Sequence, residues 1–271
     1  MPVVMSRVAG LVSIRQPALT QTLGPWYRAG TGKYCMQLAR EKDLAEELIA
    51  KLPRHDFFSV NFHHTVSNWL PFYWRGFEGT PRMTYLLRDL RDEAALWAGI
   101  QDKTRSEIRK AQKQLEVISL DDVEQFINLN EKTFARQGLK PSTPREIIER
   151  VDAACARRGA RKMLFAVDGS KRMHAAVYLV WDERSTYYLM SGADPALRNS
   201  GAGSLLMWEA IRHAMGTSRC FDFEGSMKES IERFFRSFGG IQAPYLNVRK
   251  AGRVAGTIQA LRAAGRALRR S

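Results

Sequence analysis

The stretch from Tyr187 to Phe238 constrains this chain most. It reads as strand, glycine-rich turn, apolar helix, acidic strand and helix. Tyr187-Tyr188-Leu189-Met190-Ser191 has the aromatic and apolar run of a strand. Asp194-Pro195 and Asn199-Ser200-Gly201 carry turn chemistry. Ala202-Gly203-Ser204 then opens an apolar helix expected to reach about Ala214. A helix start without bulky side chains offers unpaired N–H groups and the positive end of the dipole, which suits a pyrophosphate or a phosphodiester. Directly after it comes Cys220-Phe221-Asp222-Phe223-Glu224-Gly225-Ser226. Alternation along a strand would place Asp222 and Glu224 on one face, with Phe221 and Phe223 on the other. A phosphate cradle thus precedes a strand bearing two carboxylates.

The remaining chain bounds the partners. Its 271 residues suffice for one large domain or two small ones. A formal net charge of +14 favours acidic partners: nucleic acid, an anionic membrane surface or a phosphorylated cofactor. Cys35, Cys155 and Cys220 are far apart and form no Cys-x-x-Cys, so neither a zinc ribbon nor a disulfide framework is indicated. A reducing, cytoplasmic compartment is expected. No apolar run approaches the roughly 18 residues of a membrane span, and Val8 to Ile14 lacks the cleavage site of a signal peptide.

Leu11–Ile14 and the alternating run 57–62 read as strands, with a helix between them from Lys33 to Leu52. Asn68 to Trp74 reads as an aromatic-rich turn and strand, and Thr84–Leu87 as another strand. Helices are expected from Asp92, an N-cap residue, to Ile100 and over the basic segment Thr104 to Gln114. After a strand at 115–120, helices start at Asp121-Asp122 and at Ser142-Thr143-Pro144. Strands at 162–167, 173–181 and 186–191 form a meander leading into the glycine turn. Helix Ile231 to Phe238, ended by Gly239-Gly240, and a strand from Ala243 to Val248 complete the order.

From Asp121 onward this order resembles the GNAT acyltransferase fold. Its signature, Arg/Gln-x-x-Gly-x-Gly/Ala, matches Arg198-Asn199-Ser200-Gly201-Ala202-Gly203. The chain is similar in particular to the FemAB-like branch (Acetyltransf_6-like). The likeness rests on Phe221 to Met227, Phe234-Phe235-Arg236-Ser237-Phe238-Gly239, Pro244-Tyr245, Asn68 to Trp74 and Lys103-x-Arg105-x-x-Ile108-Arg109-Lys110-Ala111. The resemblance implies an α/β (α+β) fold of two tandem GNAT-like halves, with a mixed, mostly antiparallel sheet flanked by helices. Residues 1–115 would be a degenerate N-terminal half, 116–250 the acyltransferase half and 251–271 a basic amphipathic helix. The acceptor would lie between the halves. The branch uses either acyl-CoA or aminoacyl-tRNA, so an acyl-CoA donor (acetyl-CoA) and tRNA both stay open. The acceptor would be a small-molecule or lipid-linked amine, such as a cell-envelope or polysaccharide precursor.

Under this resemblance Arg198, Asn199, Ser200, Gly201, Ala202, Gly203 and Ser204 hold the donor's phosphates. An amine attacks only when neutral, so the site needs a base. Glu224 is the first candidate, because Gly225 after it lets backbone or substrate approach closely. Asp222 is the second, its alternative being a bond to backbone or arginine. Tyr245 and Tyr188 are candidates for protonating a leaving thiolate, against a core role for each. Ser226 is a substrate contact or the N-cap of the next helix. Trp69, Tyr73 and Trp74 could wall an acceptor site or pack a core, with Arg75, Arg82 and Arg105 as anion clamps.

Other motifs carry less. His63 and His64, adjacent on a strand, would face opposite sides and chelate poorly, so no metal is expected. Gly30-Thr31-Gly32-Lys33 lacks the first glycine and the final Ser/Thr of a phosphate-binding loop. From Arg249 to Ser271 there are seven basic residues and no acid, with Val254, Ile258, Leu261 and Leu268 at helical spacing. That basic helix could dock on the fold, lie on an anionic membrane or touch nucleic acid. A non-catalytic binding module is the reading from a different class, and the intact Arg198–Gly203 pattern opposes it.

Overall fold

The computed structural model describes residues 1–252 apart from 9, 29 and 142. The basic helix expected over 251–271 falls almost wholly outside the described residues. In chain order the elements are β1 (Val4–Val8), β2 (Leu11–Arg15), α1 (Tyr34–Ala50), β3 (Phe57–Asn61), α2 (Leu70–Trp74) and β4 (Glu78–Leu87). Then come α3 (Glu93–Gly99), α4 (Asp102–Gln112), β5 (Leu115–Ser119), α5 (Val123–Arg136), α6 (Arg145–Ala156), β6 (Arg161–Asp168) and β7 (Met173–Trp181). The chain continues through β8 (Ser185–Ala193), a 3₁₀ turn (Pro195–Ser200), α7 (Ala202–Met215), β9 (Cys220–Asp222), α8 (Glu229–Arg236) and β10 (Ile241–Ala251).

Two compact units result among the described residues: those up to 82 together with those from 244 onward, and residues 83–243. The boundary therefore does not fall at 115, which is the first residue of β5 inside the second unit. In the first unit the strand order is β1-β2-β3-β10, with β2 and β3 parallel. Phe58, Val60, Phe62, Phe72, Phe77 and Val248 make its core. The aromatic run at 68–74 is not the turn and strand expected from its composition. Pro71 fits the first turn of a helix, where its missing N–H costs nothing, and α2 forms there. β1 is a strand that the sequence reading does not include.

The second unit orders its strands β4-β9-β8-β7-β6-β5, all antiparallel neighbours except β8 and β9. Asp92 caps α3 by accepting from Ala95 N at 3.0 Å, and Asp122 caps α5 from Gln125 N at 3.0 Å, both as their positions predict. Among the described residues no side chain caps α6, whose N-cap is Pro144. α7 is apolar nearly all round because it is nearly all buried, from Ala202 to Ala214. It packs on α4 and on β7, so the rigid core of the unit fixes where its N-terminus sits. Gly192 allows the edge of that core to close: a Cβ there would lie 2.5 Å from Leu129 C and 2.8 Å from Asn130 Cα on α5.

Candidate active site

β8 and β9 run parallel only briefly. Ser185 opposes Cys220, Thr186 opposes Phe221 and Tyr187 opposes Asp222, and there the ladder ends. β8 continues to Ala193, so its edge from Tyr188 onward has no described strand beside it. The strand also slips register at this point: Tyr178 faces Met190 while Leu179 faces Tyr188, which leaves Leu189 as an extra residue. Such a bulge bends a strand and re-aims its groups. Unpaired N–H and C=O groups along an edge can bond an extended, amide-bearing ligand.

That open edge leads into the glycine turn. Arg198 and Asn199 are exposed on the 3₁₀ turn. Ser200 Oγ is buried and finds no hydrogen-bond partner among the described residues. Gly201 is the N-cap of α7 in the left-handed region at φ 76°, a conformation glycine adopts without strain. It also packs against α4, since a Cβ there would lie 3.2 Å from Ala111 Cβ. Gly203 meets nothing within 4 Å and leaves the N-terminal face of α7 bare. Ser204 differs from its expected role. Its hydroxyl is buried and donates to Glu107 Oε2 at 3.1 Å, so it serves the α4–α7 contact. Glu107 was not singled out from sequence, because nothing local marks which residue of one helix will reach another.

The acidic pair straddles the end of β9: Asp222 is its last residue and Glu224 follows it. Expected alternation does not carry through to Glu224. The strand stops at Asp222, and Glu224 turns into the left-handed region at φ 58°. The cause is local: Asp222 Oδ1 accepts Glu224 N–H at 2.8 Å, an Asx turn that competes with the strand ladder. Thr84 on β4 donates its hydroxyl to the same oxygen at 2.6 Å. Gly225 follows at φ 57°, and a Cβ on it would strike the carbonyl of Met83 and lie 2.6 Å from Thr84 Cα. The close approach predicted for this glycine is thus made by the backbone of β4.

Environment separates the two carboxyls. Burial pushes both upward. For Asp222 the bonds from Thr84 and from Glu224 N–H oppose that shift. Glu224 is raised well above the usual carboxylate range, by burial first and then by the charge of Asp222. Asp222 is thus the more firmly hydrogen-bonded of the two carboxyls, and Glu224 the more strongly raised.

Tyr188 and its neighbour Tyr187 have different surroundings. Tyr188 packs edge-on against Phe235, and burial holds its hydroxyl up at about 12. Tyr187, its neighbour, opposes Asp222 in the ladder and feels the charges of both Asp222 and Glu224, behind the stronger effects of burial and Asp182. Sequence could not reveal this, because it follows from which strand β9 pairs with. Tyr245 is buried on β10 in the first unit, where its hydroxyl accepts from Gln21 Nε2 at 2.8 Å.

The remaining expected contacts divide between the units. Trp69, Tyr73, Trp74, Arg75 and Arg82 belong to the first, and Arg105 and Ser226 to the second. Trp69 covers Gly79 and meets Tyr73 edge-on. Arg75 pairs with Glu46 at 3.7 Å, and Arg105 pairs with Asp102 on its own helix. Ser226 Oγ accepts Lys228 N–H at 3.0 Å, whereas the N-cap of α8 is Lys228 itself. His63 and His64 follow β3 in a turn and stack with ring centroids 4.0 Å apart, so the opposite-face expectation does not hold. Among the described residues no His, Cys, Asp and Glu group is placed to hold a metal ion.

Residues 102–236 match the family described as acetyltransferase (GNAT) domain. The chain carries a GNAT acetyltransferase domain. It is an acyltransferase. In fold it is similar to FemX, with a TM-score of 0.64 at 13% identity over 90% of this chain and 83% of that one. It is also similar to a tandem GNAT protein from the clavulanic acid biosynthesis pathway, with a TM-score of 0.52 at 11% identity over 90% and 81%. L-PGS from Bacillus licheniformis gives a TM-score of 0.52 at 9% identity over 92% and 80%. No curated protein sequence matches the chain.

Proposed function

We propose that this acyltransferase moves an acyl group from a CoA thioester to an amine acceptor. The observation that carries the reading is the unpaired edge of β8 running into the bare start of α7 at Gly203. The pantetheine amides of CoA would bond the edge. The pyrophosphate would meet the N–H groups of α7, with Arg198 and the orphan hydroxyl of Ser200 beside it. In this reading the ionised Glu224 takes a proton from the acceptor's amine as its nitrogen attacks the thioester carbonyl. The new C–N bond forms, the C–S bond breaks and CoA leaves as thiolate. Asp222 positions Glu224 through the 2.8 Å bond to its backbone. Tyr187, held up at about 12, keeps its proton at neutral pH and is the nearer candidate to hand one to the thiolate. A cell-envelope or polysaccharide precursor is the acceptor class proposed, at a cytoplasmic membrane face. Among the described residues no helix is long and apolar enough to cross a membrane.

One observation favours a second reading. The Glu107 carboxylate already answers the first turn of α7 through Ser204, which disfavours a second anion there. An aminoacyl-tRNA donor, whose contacts would lie elsewhere, escapes that conflict, and its acceptor would be a peptidoglycan precursor. Calorimetry on Gly203→Leu separates the two. Open space at Gly203 leaves folding unharmed, so Tm stays within a few degrees while acyl-CoA affinity falls about tenfold or more, the loss of one or two backbone contacts to phosphate. Equal affinity of wild type and variant, or binding by neither, removes the CoA reading.

A further inference from the structure

The exposed tryptophans and tyrosines of the described residues lie on three segments of the first unit: the loop before α1, the start of α1, and α2. They are Trp26 at 68% exposure, Tyr34 at 72%, Tyr73 at 59% and Trp74 at 56%, with Met36 and Leu70 exposed among them. Three contacts draw their segments together. α1 packs along α2, and Asn68 Nδ2 donates to Leu38 O at 3.3 Å at the start of α2. Arg75 reaches Glu46 at the end of α2. Gly30 lies beside the side chains of Gln37 and Arg40, which lays the loop carrying Trp26 along the first turns of α1.

Cations predominate around the loop and the start of α1, with Glu41 near Tyr27 and Glu46 paired to Arg75 as the acids close by. From Trp26 to Arg40 the chain has no Asp or Glu, and from Phe62 to Phe77 it has none either. Arg28, Lys33 and Arg40 are exposed, and no ion pair joins them to another of the described residues. Large amphipathic rings standing in water beside unpaired cations are unusual on a soluble surface. The same pairing suits a bilayer interface, where indole and phenol rings sit at headgroup level and cations meet anionic lipid.

We propose that the face formed by loop residues 26–28 and 30–33, the first turns of α1 and α2 docks on an anionic lipid bilayer. The proposal is independent of the donor reading, and it gives Tyr73 and Trp74 a surface to enter rather than an acceptor to enclose.

The test is co-sedimentation of the full-length chain with phosphatidylcholine vesicles, with and without phosphatidylglycerol. Binding is expected only with phosphatidylglycerol, to weaken with salt, and to persist against millimolar glycerol phosphate, which separates a bilayer from a free headgroup. Trp26→Ser with Tyr34→Ser should cut partitioning about tenfold or more at unchanged Tm, because both rings stand in solvent. Arg28→Gln with Lys33→Gln and Arg40→Gln should abolish the preference for phosphatidylglycerol while leaving the fold intact. A chain ending at Gly252 should keep most of the binding. The proposal is overturned if both variants sediment like wild type, if all binding resides beyond Gly252, if glycerol phosphate competes the protein off, or if the chain binds tRNA and ignores the vesicles.

Discussion

Replacing Glu224 by Gln is expected to lower kcat about 10²-fold, the usual contribution of a positioned base to proton transfer, and to raise thermal stability at neutral pH. Both effects have one source. The side chain is half-buried beside the Asp222 carboxyl, and its folded carboxyl titrates well above the unfolded value. The folded state holds that proton longer than the unfolded chain does. Stability from this group is fully present below the unfolded carboxyl range and is lost as pH rises through the raised folded value. Glutamine has no proton to lose, so the Tm difference in favour of the variant should widen with rising pH. Asp222→Asn removes the neighbouring charge and should move the acid limb of the kcat/KM profile to lower pH. A full pH profile with unchanged turnover in Glu224→Gln would take the residue out of the mechanism, and a variant no more stable at neutral pH would contradict the burial account.

Gly225→Ala is expected to cost about 3 kcal/mol or more and to reduce activity by at least as much as the loss of Glu224. An L side chain at φ 57° is strained, and here its Cβ also meets the backbone of Met83 and Thr84, which cannot rotate away. The turn would have to open, freeing Glu224 N–H from Asp222 and dispersing the carboxyl pair. For a chain of this size the loss corresponds to a Tm fall of roughly 6–12 °C, measured by calorimetry. A stable, active Gly225→Ala protein would show that the close packing of β4 against this turn is not needed.

Periodicity and caps made most of the second unit legible. Asp92 and Asp122 cap helices where their positions say they should, and the meander into the glycine turn follows from apolar runs cut by turn residues. Tertiary choices stayed hidden. Asn68–Trp74 reads as a strand because its aromatics favour strands, yet Pro71 and the core below it select a helix. The alternation Asp222-Phe223-Glu224 holds only until Asp222 finds a backbone N–H two residues on. Ser204 looks free in sequence and is claimed by Glu107 from a helix about a hundred residues earlier. Tyr188 and Tyr187 are equivalent in composition, and only the parallel pairing with β9 decides which of them faces the carboxyls.

Native mass spectrometry of the purified full-length chain with acyl-CoA added tests the central claim most directly. The account predicts a one-to-one complex carrying the mass of the acyl-CoA, much weakened in Gly203→Leu and retained in Glu224→Gln, which lacks the base but keeps the donor's cradle. Failure of the wild-type chain to bind acyl-CoA while it binds aminoacyl-tRNA, or equal binding by the Gly203 variant, would contradict it.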